Sequence, residues 1–274
     1  MQLKHPDGTQ LGATLVEGGG EGWVVIGGAT GVPHRYYEAL SEWLAEERGV
    51  NVLSFDYRGI GESSPASLKG FKATYRDWAS DLEVAIEYAA ARGPTVVVGH
   101  SFGGHAFGMT NAHARTEGLY TFATGAGWSG YMTSGEAARV WALWNVVLPP
   151  LVSWRGYAPF RLLGMGEDLP KGVYQDWRRW CGSPLYFFDD PDADFSERFA
   201  QVKVPVVGVN SVDDAWAPPA SARAFLSHYP NVTCVTVKPF DVGAPSIGHL
   251  AYVRPACRSL WRELGVWIEE RLSP

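Results

Sequence analysis

The run Gly99-His100-Ser101-Phe102-Gly103 follows the apolar stretch Thr95-Val96-Val97-Val98 and opens a segment with a helical pattern. No other stretch constrains the fold as strongly. A serine on so tight a strand-to-helix turn needs small residues two positions before and after it, so that both backbones approach without a Cβ clash. Gly99 and Gly103 meet that need, and Ser101 becomes a candidate nucleophile.

The rest of the chain repeats this alternation. Residues 1–28 carry short strand-like runs between turn signals: Leu11 to Val16, then Gly18-Gly19-Gly20, then Trp23 to Ile26, read as a hairpin feeding a buried strand. Tyr37, Leu40, Trp43 and Leu44 recur at helical spacing before Gly49. Val50–Phe55, Thr95–Val98, Leu119–Ala123, Val204–Val209 and Val232–Val237 read as strands, whereas 73–92, 221–228 and 254–272 read as helices. Near-continuous apolar strands between helices predict a mostly parallel sheet covered on both faces. From 127 to 197 the pattern breaks, and six of the twelve tryptophans fall there: Trp128, Trp141, Trp144, Trp154, Trp177 and Trp180. This segment is expected to be a helical lid inserted into a core formed by 1–126 and 198–274.

Composition narrows the function classes. A net charge of -6 without a block of like charges argues against nucleic acid as a partner. No apolar run approaches the ~18 residues of a membrane span, and the first residues lack the core of a signal peptide, so a cytoplasmic chain without stable membrane insertion is expected. Cys181, Cys234 and Cys257 lack the spacing of metal or redox sites. Neither a metal nor an organic cofactor is expected. Oligomeric state stays open between a monomer and a homo-oligomer.

A serine hydroxyl becomes a nucleophile at neutral pH when a histidine takes its proton and a carboxylate holds that histidine in one tautomer. His249 lies in a loop after the last strand. The strand Val204–Val209 runs into Asn210-Ser211-Val212-Asp213-Asp214, so two carboxylates follow a strand end. Catalytic groups of open α/β sheets gather at such carboxyl ends. The order is serine, acid, histidine. Two backbone N–H groups must also face the oxyanion: that of Phe102, and one from the glycine-rich loop Gly27-Gly28-Ala29-Thr30-Gly31, where Ala29 is the expected donor and the Thr30 hydroxyl a lesser helper. His100 and His105 read as structural, and Asp56 and Arg58 as braces of their loop. A dinucleotide fingerprint would need glycine where Ile26 stands.

These segments, together with Phe55-Asp56-Tyr57-Arg58-Gly59-Ile60-Gly61-Glu62-Ser63, resemble the α/β-hydrolase superfamily over nearly the whole chain, near its monoacylglycerol-lipase and serine-aminopeptidase-like bacterial branch. The resemblance implies an eight-stranded, mostly parallel sheet with a lid after the sixth strand. It assigns the acid to Asp214, four residues before Pro218, with Asp213 as the fallback. It departs at Gly27, where the family often has histidine. The implied activity is hydrolysis of a small-molecule acyl ester through an acyl-enzyme on Ser101. Thr30, Trp128, Trp144 and Trp216 are expected at the substrate. An acyltransferase, thioesterase, lactonase or peptidase would keep the same triad, and a binding protein could keep the fold without chemistry.

Overall fold

A computed structural model describes residues 1–273. Its centre is an eight-stranded sheet of order β1-β2-β4-β3-β5-β6-β7-β8, formed by β1 (Gln2–Lys4), β2 (Gln10–Val16), β3 (Trp23–Gly27), β4 (Asn51–Phe55), β5 (Thr95–His100), β6 (Gly118–Phe122), β7 (Val206–Ser211) and β8 (Val232–Val237). The pairings from β4 through β8 are parallel, whereas β1 with β2 and β2 with β4 are antiparallel. The expected hairpin is therefore β1 with β2. β3 does not pair with β2 but inserts between β4 and β5, where all five of its residues are buried.

Both faces are covered. On one side lie α1 (Glu38–Arg48) and the closing helix α9 (Arg258–Leu272), around Leu44, Tyr252 and Trp261. On the other lie α2 (Tyr75–Ala90) and α3 (Phe102–Met109), packed through Trp78, Phe102 and Phe107. α2 starts where Thr74 and Asp77 exchange side-chain and backbone hydrogen bonds in a capping box. α9 starts later than expected: Pro255 and a short 3-10 turn occupy residues 255–257 first, and α8 (Pro219–Leu226) packs beside β7 and β8.

Between β6 and β7 the chain builds α4 (Ser134–Ala142), α5 (Leu148–Arg155), α6 (Lys171–Trp180) and α7 (Ser196–Gln201). A π-turn at Leu143–Val147 joins α4 to α5. Pro149 and Pro150 do not break α5: they fall in its first turn, directly after the π-turn that interrupts the regular ladder ahead of them. The insert is fastened to the loop after β3 by Glu167 N–H to Gly31 C=O at 2.8 Å and to the start of α2 by Tyr75 N–H to Asp176 Oδ2 at 3.1 Å.

Candidate active site

Ser101 occupies the junction of β5 and α3 with φ 51° and ψ -106°, a conformation L-residues rarely adopt. Its N–H donates to Phe122 C=O at 2.8 Å, and Thr124 Oγ1 donates to its carbonyl at 2.9 Å. The flanking glycines are steric necessities: a Cβ on Gly103 would lie 2.0 Å from Gly27 O, and one on Gly99 would lie 2.7 Å from Gly104 N. The strand and helix backbones thus touch where the serine is presented.

Beside it, His249 Nε2 is 3.0 Å from Ser101 Oγ, and His249 Nδ1 is 3.0 Å from each carboxylate oxygen of Asp214. An ionised carboxylate only accepts, so Nδ1 carries the proton and Nε2 presents a lone pair to the serine. Asp214 is 1% exposed, and its Oδ1 also accepts from Trp216 N–H and Ala217 N–H, each at 2.9 Å. The Tyr252 hydroxyl approaches Oδ2 at 3.4 Å. Both oxygens of this buried carboxyl group thus have hydrogen-bond partners, as a buried polar group requires.

Asp213 makes no contact with the imidazole. Its two oxygens accept from Ser211 Oγ, Ser246 Oγ, Ile247 N–H and Gly248 N–H at 2.5 to 3.1 Å. Burial alone would raise this carboxyl, yet those hydrogen bonds hold it below the usual range. It anchors the loop that delivers His249.

The glycine-rich loop differs from expectation at one point. Ala29 N–H donates to Tyr37 Oη at 2.8 Å, so in this state it is not free for an oxyanion. Tyr37 Oη in turn lies 2.9 Å from His100 Nδ1, and His100 Nε2 lies 2.8 Å from His249 C=O. A carbonyl only accepts, so His100 Nε2 donates, Nδ1 accepts and the Tyr37 hydroxyl donates to it. One buried chain of hydrogen bonds therefore ties the loop of Ala29 to the backbone of His249. Burial pushes His100 down to about 4, which keeps this ring neutral. Asp56 braces the same loop by accepting from His34 N–H at 2.6 Å and His34 Nδ1 at 2.8 Å.

Ser101 and His249 open into a cavity of about 270 Å³ whose walls include Ala29, Thr30, Met165, Trp177, Trp216 and Leu250. Of the residues expected at the substrate, Thr30 and Trp216 lie in this wall. Trp128 and Trp144 do not: they line a separate, larger cavity of about 480 Å³ within the insert, with Arg178 and Arg179. Trp144 is turned there because it packs edge-on against Trp177, at 5.0 Å between ring centroids. The larger cavity contains neither Ser101 nor His249. The ring of Phe102 is buried and stacked on Tyr75 at 4.2 Å, leaving its N–H as the group it offers at the start of α3. Sequence reasoning missed Arg139, which enters the cavity wall paired to Glu136 at 2.5 and 2.9 Å. His100 has the structural role expected of it, but its partner Tyr37 was not foreseen, since hydrogen bonds between distant loops leave no periodic trace.

Residues 19–256 match the family described as alpha/beta hydrolase, and the chain belongs to that family. Two solved structures share the fold across the whole chain. One is Est1E from Butyrivibrio proteoclasticus with ferulic acid bound, at TM-score 0.67 and 18% identity over 100% of both chains. The other is a soluble variant of monoglyceride lipase from Saccharomyces cerevisiae with a substrate analogue, at TM-score 0.69 and 16% identity over 100% of this chain and 96% of that one. Proline iminopeptidase from Lactobacillus helveticus is 35% identical over 81 residues, which is 30% of this chain and 27% of that protein. The chain thus matches about a quarter of that relative's length. No helix among the described residues is long and apolar enough to cross a membrane.

Proposed function

We propose that the protein is a serine hydrolase that cleaves carboxylic esters of small molecules. The observation that carries this reading is the Ser101–His249–Asp214 chain of 3.0 Å contacts at the floor of a cavity. Ser101 Oγ attacks the acyl carbon while its proton passes to His249 Nε2; the imidazolium, supported by Asp214, then protonates the leaving alcohol. Water enters, His249 removes its proton, and the acyl group leaves Ser101 as the acid. Phe102 N–H is one donor to the oxyanion. With Ala29 N–H held by Tyr37, the backbone N–H of Thr30, the next residue of the loop and a wall of the cavity, is the second. Such a donor lowers the barrier by about 3 to 4 kcal/mol.

Residues 127–197 act in this reading as the lid of the site, supplying Arg139, Met165 and Trp177 to the cavity wall. A panel of p-nitrophenyl esters of increasing acyl length, run beside Ser101→Ala, tests the assignment. Wild-type turnover with loss of roughly 10⁴-fold or more in the variant is expected; equal rates would sink it. A second reading comes from the local similarity to proline iminopeptidase. Turnover of an N-terminal prolyl anilide without turnover of any ester would move the substrate class to aminoacyl amides.

A further inference from the structure

The cavity of about 480 Å³ inside the insert takes no part in the chemistry described above. Its volume falls within the range of about 300–1,000 Å³ that suits a small organic ligand. Three indoles border it, those of Trp128, Trp141 and Trp144. Gly130 lies over the six-membered ring of Trp128, where a Cβ would come within 2.2 to 2.5 Å of three ring carbons. Trp144 is buried and braced edge-on by Trp177. Trp141, on α4, is 60% exposed, so most of its flat apolar surface stands in water. A flat ring laid against it would remove that surface from solvent.

Two guanidinium groups of α6, Arg178 and Arg179, border the same cavity, and their surroundings differ. Arg179 lies 2.8 Å from Asp190, with Asp192 at 3.6 Å and Asp176 at 3.8 Å. Its charge is matched. Arg178 has no ion-pair partner among the described residues, and its Nη2 donates to Asn145 Oδ1 at 3.3 Å. Asn145 also borders the cavity, and its Nδ2 donates to Trp141 C=O at 2.9 Å, which turns its oxygen toward Arg178. A neutral acceptor thus holds the guanidinium beside the indoles without cancelling its charge. No carboxylate side chain borders the cavity.

We propose that this cavity is a second ligand site and that it takes a planar aromatic carboxylate. The ring of the ligand lies against the indoles, and its carboxylate accepts from the guanidinium of Arg178. A cationic or neutral aromatic would leave the charge of Arg178 unmatched, and an aliphatic acid would leave Trp141 in water. The site stands apart from the reading of Ser101 as a nucleophile.

Indole-3-acetate and indole-3-acetamide have one shape and differ in charge. Titrated calorimetrically into the whole chain, the acid should bind roughly tenfold more tightly than the amide. In Arg178→Gln that ratio should fall to about one, and thermal unfolding of the variant checks its fold. Trp141→Ala, at an exposed position, should weaken both ligands by roughly five- to tenfold and keep their ratio. Arg139→Gln, which alters the cavity of Ser101 instead, should leave both affinities as they are. A wild-type ratio near one, or a preference that survives Arg178→Gln, would overturn the site. So would a preference lost in Arg139→Gln, since the acid would then sit beside Ser101, and so would the absence of any binding heat.

Discussion

Asp213 and Asp214 stand side by side on one loop after β7, and their surroundings give them different work. Asp214 meets the imidazole with both oxygens, whereas Asp213 binds the hydroxyl of Ser246 and the N–H groups of Ile247 and Gly248. Asp214→Asn removes the charge that stabilises the imidazolium and the preference for the Nδ1–H tautomer, so kcat on an active ester should fall by about 10⁴. Asp213→Asn keeps that partner but loosens the loop, and misplacement of a catalytic group costs up to about 10²-fold; a fall of ten- to hundredfold is expected. Steady-state kinetics of the two variants with one ester decides it, and the reverse ranking would transfer the acid role to Asp213. The sequence narrows the acid to this pair because both follow a strand end. The choice of Asp214 rests on the family resemblance alone, since which carboxylate meets the imidazole depends on which side of the turn each one leaves.

At the scale of elements, the junction of β3, β5 and α3 is the least tolerant part of the fold. A methyl group on residue 103 would meet the carbonyl of Gly27 at 2.0 Å, backbone against backbone, with no flexible side chain to yield. Gly103→Ala should therefore cost at least the 1–3 kcal/mol typical of overpacking, read as a lower urea midpoint; an unchanged midpoint would mean that α3 can slide away from β3. The strands and this turn were legible because apolar runs and paired glycines are local signals. Neighbour relations were less so: β2 and β3 are adjacent in the chain, yet β4 lies between them in the sheet. In the insert, tryptophans serve equally as packing and as cavity wall. Spacing alone does not reveal that Trp177 faces Ser101 while Trp128 and Trp144 face another cavity.

For the whole molecule, buried neutral histidines set the acid limit. Burial lowers His100 to about 4 and His105 to about 3, both below the ordinary value near 6.5. Below pH 6.5 the unfolded chain thus binds more protons than the folded one, and stability declines as pH falls toward those values. His34 works in the opposite sense: its hydrogen bond to Asp56 raises it, so its contribution is complete below about 6.5 and is lost as pH rises through its folded value. Urea midpoints should fall between pH 6.5 and 4.5, and His105→Leu should show a slope shallower by about one proton, roughly 1.4 kcal/mol per pH unit. An identical slope would mean that His105 takes up its proton in the folded state.

The chain from Ala29 through Tyr37 and His100 to the carbonyl of His249 also sets a rule for transplantation. A relative's nucleophile turn grafted here would supply a serine but strand the Tyr37 hydroxyl unless a histidine travelled with it at position 100. Residues 27–37, 99–103 and 247–249, scattered over more than two hundred positions of sequence, form the smallest interchangeable part.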